Sequence, residues 1–227
     1  IQAGETDVDG ISIGANALAL NSGTISDALG NTAILTHSAV PANTGYKVDT
    51  TPPTVMSVAI TDGTYMKNNF LNAYGANWYD SIYGDVVSAT VTFSEYSIVT
   101  NFPRLTLTVG EDNHTAKYTS TGSGTTNKIF NYTIQAGDND TDGISIGANV
   151  ISLNSGSISD PAGNNATLTH SAVSDNNSFM VDTESPTVIS FTNSETLLLV
   201  GDNMSVNLDF SEAVIDFSTA DINYDNA

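Results

Sequence analysis

The sequence predicts an all-β chain made of tandem antiparallel sandwich modules. Three observations carry that reading. Apolar and polar residues alternate with period two over short runs. Clusters of Gly, Asn, Asp and Ser break those runs every 8–15 residues. The chain also repeats itself: residues 1–55 align without a gap on 134–188, at an offset of 133, with 36 of 55 positions identical.

The alternation sets the strands. Ala89, Val91 and Phe93 alternate with Ser88, Thr90 and Thr92; Leu105, Leu107 and Val109 alternate with threonines; Phe130, Tyr132 and Ile134 alternate with Asn131 and Thr133. Runs of this kind bury one face of a pleated sheet. A complete module then has strands near 55–61, 86–93, 104–109, 128–135, 144–153, 166–172 and 179–182. That is about seven strands, in Greek-key order. No helical stripe of useful length is present outside 69–79.

The repeat sets the domains. Val91-Thr92-Phe93-Ser94-Glu95 matches Leu208-Asp209-Phe210-Ser211-Glu212 at an offset of 117 rather than 133, so the middle unit carries 16 extra residues, assigned to 66–81. The chain divides into the C-terminal half of one module (1–49), a complete module (50–182) and the N-terminal part of a third (183–227). A half-sandwich leaves its apolar face bare, so 1–49 is expected to be unstable until something completes it. Residues 183–227 lack a counterpart of 104–133. The first residue is Ile1, and no signal-like segment opens the chain, which therefore reads as a piece of something longer.

Composition removes whole classes of function. The net charge is −20, from 25 acidic and 5 basic residues, a field that repels nucleic acid and anionic membrane. Hydrophobic residues make up 40% of the chain, enough for a core. Without cysteine there are no disulfides and no thiolate metal sites. No apolar run approaches 18 residues, so no membrane insertion is expected. No nucleophile motif or phosphate loop is present, and the chain reads as a non-enzyme. His37 and His170 fall at matching strand positions without a second His beside them, which favours a structural role over zinc.

The acidic residues are clustered. Asp138, Asp140 and Asp142 lie two apart and Gly143 closes the run; Asp7, Asp9 and Gly10 repeat it. Carboxylates so spaced can converge, and Ca²⁺, which takes six to eight oxygens, would relieve their repulsion. The run begins like an EF-hand loop, but its twelfth position is Asn149 and no helices flank it. In a seven-strand sandwich the connections after the second, fourth and sixth strands share one end. Glu95 and Asp138, Asp140 and Asp142 then face the preceding module. That module supplies Asp27 from a loop and Asp49 from the linker 48–53, whose prolines restrict torsion. The same logic gathers Asp160, Asn164, Asp182 and Glu212 at the next joint.

The ordered motifs are Phe-Ser-Glu (93–95), Gly122-Ser123-Gly124-Thr125, Gln135-Ala136-Gly137-Asp138, Asp142-Gly143-Ile144, Ser159-Asp160-Pro161-Ala162-Gly163-Asn164, and Val181-Asp182-Thr183 with Pro186. Together they resemble the bacterial immunoglobulin-like tandem repeats of large RTX-type, biofilm-forming surface adhesins. The resemblance implies immunoglobulin-like modules, secretion or a bacterial cell-surface location, and Ca²⁺ at module joints. It implies an extender or stalk that projects a distal binding domain towards a host or biofilm surface ligand. The immediate partners are then neighbouring modules of the same chain.

The insertion 66–81 departs from the usual short connection. With its flanks it holds Tyr65, Phe70, Tyr74, Trp78, Tyr79 and Tyr83. Trp78, Tyr74 and Tyr79 either bind a glycan or protein, or fold as a satellite core. A further reading is a fibre in which copies of the chain complete each other's partial ends. Such modules also accompany polysaccharide-degrading enzymes, whose catalytic domain would lie outside this chain.

Overall fold

The structure is a computed structural model describing residues 1–61, 70–71, 77–78, 85–119, 124–194, 197–215, 217–218 and 221–222. It is all-β. The strands are β1 (Thr6–Asp7), β2 (Val48–Asp49), β3 (Val55–Thr61), β4 (Phe70–Leu71), β5 (Asn77–Trp78), β6 (Val86–Thr100), β7 (Arg104–Val109), β8 (Asp112–Tyr118), β9 (Thr125–Thr133), β10 (Asn139–Asp140), β11 (Ile151–Ser152), β12 (Ser157–Ser159), β13 (Val181–Asp182), β14 (Val188–Asn193) and β15 (Val206–Phe210).

The long strand β6 is the spine. Its period-two pattern buries Val87, Ala89, Val91 and Phe93 on one face. Each such Val or Phe contributes about 1.5–3 kcal/mol on leaving water. The sheet runs β11-β7-β8-β9-β6-β12, all antiparallel, and β3 also pairs with β6. One edge of β6 is taken by β9. The other is shared: β3 pairs with 88–93 and β12 with 98–100. Ile144, Ile146, Ile158 and Val181 join the same core cluster as Leu105, Leu107, Phe130 and Tyr132.

Several elements differ from the sequence expectation. β6 runs on to Thr100 rather than stopping at 93, because Tyr96, Ile98 and Thr100 continue the extended backbone to meet β12. β8 was not expected, since its Asp-Asn-His start reads as a turn; it buries only Ala116 and Tyr118. The run 144–153 holds a regular strand only at β11. Elsewhere it makes single bridges, Ser145 to Thr108 and Ile146 to Val173, and the positive φ of Asn149 breaks it. The run 166–172 makes one parallel bridge, Thr167 to Thr54, and no strand.

The repeat holds at the level of hydrogen bonds. β14 pairs with β15 as β3 pairs with β6, Val188 opposite Phe210 where Val55 meets Phe93, with the same bulge after the first pair. β1 pairs with β2 as β10 pairs with β13. The glycine closing the acidic run is required in both copies. Gly10 and Gly143 have φ of 99°, and a Cβ would lie 1.8 Å from Asn43 O and 1.9 Å from Asn176 O respectively. Burial separates the copies. Ile144, Ile146 and Ile158 are at most 2% exposed, whereas their counterparts Ile11, Ile13 and Ile25 are at least 45% exposed.

Candidate metal centre

Glu95 sits where β6 loses its register with β9, between the pairs Thr92–Asn127 and Ser97–Thr125. Such a bulge re-aims side chains. Ser94 is tied to the incoming linker: Thr54 N donates to Ser94 Oγ (3.0 Å) and Ser94 N to Thr54 O (2.8 Å). That bond pair, with buried Pro53, brings the linker residue Asp49 beside Glu95.

Asp160 arrives from the other side. β12 runs antiparallel to the end of β6 and returns the chain towards Glu95. The turn that follows is held by Asp160 itself. Its Oδ1 accepts from Asn164 N (2.9 Å) and its Oδ2 from Asn164 Nδ2 (2.7 Å). Asn164 Nδ2 also donates to Asp49 O (3.0 Å), fastening the linker to this loop. Asp49 Oδ1 accepts from Thr51 N (3.0 Å).

One oxygen each from Asp49, Glu95 and Asp160 lies within 4.8 Å of the others. Oxygens within that spacing lie no more than about 2.8 Å from a common centre, within a few tenths of an ångström of the 2.3–2.6 Å Ca²⁺ range. Asp160 is buried and the other two are half-buried. Three anionic oxygens leave places for a carbonyl and water in a shell of six to eight. The Glu95 carboxyl is held above its ordinary value, first by burial and then by the charges of Asp49 and Asp160. Because the folded state holds that proton more tightly than the unfolded chain, the stabilisation is present at acid pH and is lost as pH rises through the raised value. In chelator, thermal melts from roughly pH 4.5 to 7 should show stability falling as pH rises, and Glu95→Gln should flatten that slope. An unchanged slope would contradict the crowding of these carboxylates.

The remaining expected ligands are placed elsewhere. Asp160 belongs with Asp49 and Glu95, not with Asp182 and Glu212, because β6 extends far enough to carry β12 to that end. Asp138 and Asp140 are not part of that group. Asp138 Oδ2 accepts from Tyr132 OH (2.7 Å) and Gln135 N (2.8 Å), and its Oδ1 lies 3.5 Å from His114 Nε2. Burial, then Asp138, push the Tyr132 hydroxyl pKa upward. Asp140 accepts from Gly110 N (2.7 Å) and Gly143 N (2.6 Å), clamping its turn. Asp142 is exposed. Tyr132 OH and backbone N–H groups supply hydrogen bonds to these buried carboxylates.

Asp27 is exposed and bonds Asn31 as Asp160 bonds Asn164. Asp182 accepts from Glu184 N as Asp49 does from Thr51 N. Glu212 is half-buried, two residues beyond β15. Among the described residues, Asp49, Glu95 and Asp160 form the one group of three acids or histidines close enough to hold a metal. His170 Nε2 accepts from Val150 N and its Nδ1 donates to Ser171 O, so it serves as backbone packing. Trp78 lies on β5 opposite Phe70; its side chain, with Tyr74 and Tyr79, lies outside the described residues. No helix among the described residues is long and apolar enough to cross a membrane. No known protein family, curated protein or solved structure matches the chain.

Proposed function

We propose that the chain is a stretch of a calcium-stiffened extracellular stalk, built of immunoglobulin-like sandwich modules and secreted or displayed on a bacterial surface. One observation supports this reading: carboxylates from three separate segments of the chain, at Asp49, Glu95 and Asp160, converge within 4.8 Å. Asp49 comes from the linker, Glu95 from the spine of the following module and Asp160 from that module's loop. A cation bound there ties the linker to the sandwich at two points, converting a pivot into a fixed angle. The work done is mechanical: holding a distal domain away from the surface. Thermal unfolding with Ca²⁺, Mg²⁺ or chelator tests it, and a rise in Tm specific to Ca²⁺ is the expected result.

A further inference from the structure

Ser97 carries a buried hydroxyl with nothing to bond. The residue is 0% exposed, and among the described residues its Oγ has no hydrogen-bond partner. Buried hydroxyls are normally paired, so an orphan of this kind needs a physical reason, and a bound ion is one.

The position of Ser97 supplies that reason. Burial alternates along the end of β6: Glu95, Ser97 and Val99 turn inward, while Ser94, Tyr96, Ile98 and Thr100 are exposed. Glu95 and Ser97 therefore share one face, two residues apart. β12 runs beside them in the register Ser157 to Thr100, Ile158 to Val99 and Ser159 to Ile98. One step further along that ladder sets Asp160 level with Ser97. Side chains directly opposed on one face lie about 4.5–5.5 Å apart at Cβ. The orphaned hydroxyl is thus flanked by Glu95 along its own strand and by Asp160 across the ladder. These are two of the three carboxylates that converge within 4.8 Å.

We propose that Ser97 Oγ is a fourth ligand of the cation held by Asp49, Glu95 and Asp160. The assignment rests on the calcium joint proposed above. A hydroxyl offers two lone pairs, and Ca²⁺ takes neutral oxygens alongside carboxylates. One oxygen from each carboxylate and the hydroxyl fill four of its six to eight places. The fourth oxygen also selects the ion. Mg²⁺ demands near-octahedral geometry and keeps several waters, so a further protein oxygen favours Ca²⁺.

The repeat shows that the strand itself does not require a hydroxyl here. At the offset of 117, Ser97 corresponds to Val214, half-buried like Glu212, with exposed Ala213 between them. Threonine has nearly the shape of valine but keeps the hydroxyl. The two substitutions therefore separate the oxygen from the bulk.

Calcium titration calorimetry on the 227-residue chain, unaltered and as Ser97→Val and Ser97→Thr, tests the assignment, with thermal melts in chelator alongside. Ser97→Val should raise the Kd for Ca²⁺ about tenfold or more and narrow the preference over Mg²⁺. It should not lower Tm in chelator, because it removes a buried hydroxyl that has no partner. Ser97→Thr should bind Ca²⁺ close to the unaltered Kd. An equal Kd in all three overturns the ligand while leaving the joint standing. Equal weakening in both variants also overturns it, since bulk would then be the cause. So does a fall in Tm for Ser97→Val in chelator, which would give the hydroxyl a role in the fold without metal. An unaltered chain that binds no Ca²⁺ overturns the joint itself, and the fourth ligand with it.

Discussion

Asp160→Ala is expected to abolish the response of Tm to Ca²⁺ and to lower Tm in chelator as well. The two effects have separate causes. Asp160 is a member of the acidic triad, so its removal takes away a buried carboxylate of the proposed site. It also holds its own turn, accepting from Asn164 N and Asn164 Nδ2. Those donors lose their partner in the alanine variant, at about 1–3 kcal/mol. Asn164 then no longer positions the Asp49 carbonyl, so the linker loosens too. Asp160→Asn separates the effects. It retains one acceptor, for Asn164 N, but sets an amide NH2 against Asn164 Nδ2 and lacks the charge, so it should restore part of the stability in chelator and lose the Ca²⁺ response. A Ca²⁺ response in either variant equal to that of the unaltered chain would remove Asp160 from the site.

Ile158→Ala and Ile25→Ala should differ by several kcal/mol although they are the same residue of the same repeat. Ile158 is 2% exposed and belongs to the core cluster; Ile25 is 45% exposed. Truncating a buried isoleucine costs about 2–5 kcal/mol, through lost burial and the cavity left behind. An exposed position normally changes stability by about 0.5 kcal/mol or less. Chemical denaturation of each variant measures the difference. Equal losses would mean that 1–49 is covered in solution by something that buries Ile25.

How far the molecule was legible in the sequence depends on which kind of signal each part leaves. β3 and β7 fall where alternation places them, because half-buried strands print their period on the residues. The registers of the two copies agree, down to the bulge after Val55 and Val188, as their sequence repeat requires. The run 144–182 is different. Its alternation is real, since Ile144 and Ile146 are buried, but left-handed residues at Asn149, Asn154 and Ser155 break the ladder into bridges. Periodicity reports which side is buried, not whether a neighbour supplies hydrogen bonds.

The site was half legible for a related reason. The pairing of Asp49 with Glu95 follows from strand order. Moving Asp160 to their side required knowing that β6 continues to Thr100, for which the one sequence signal was the further alternation of Tyr96, Ile98 and Thr100. The run Asp138-Asn139-Asp140-Thr141-Asp142 looked like the stronger metal site because of its charge density. Its inner carboxylates instead accept from Gln135 N, Gly110 N and Gly143 N. Charge spacing along a chain does not distinguish a turn clamped by N–H donors from a cation shell, since both require carboxylates that converge on positive charge.

The most direct test is a calcium titration followed by thermal unfolding, on the unaltered chain and on a double variant, Asp49→Asn with Glu95→Gln, with Mg²⁺ as control. A site that binds the folded state alone adds about 2.7 kcal/mol at a hundredfold excess over its Kd, a rise in Tm of roughly 5–11 °C for a chain of this size. The account predicts that rise with Ca²⁺, with a midpoint of order 0.1–1 mM, the range of extracellular Ca²⁺ modules, and its loss in the double variant. A flat Tm across the titration, or a rise that the double variant retains in full, would contradict a cation at the Asp49–Glu95–Asp160 joint.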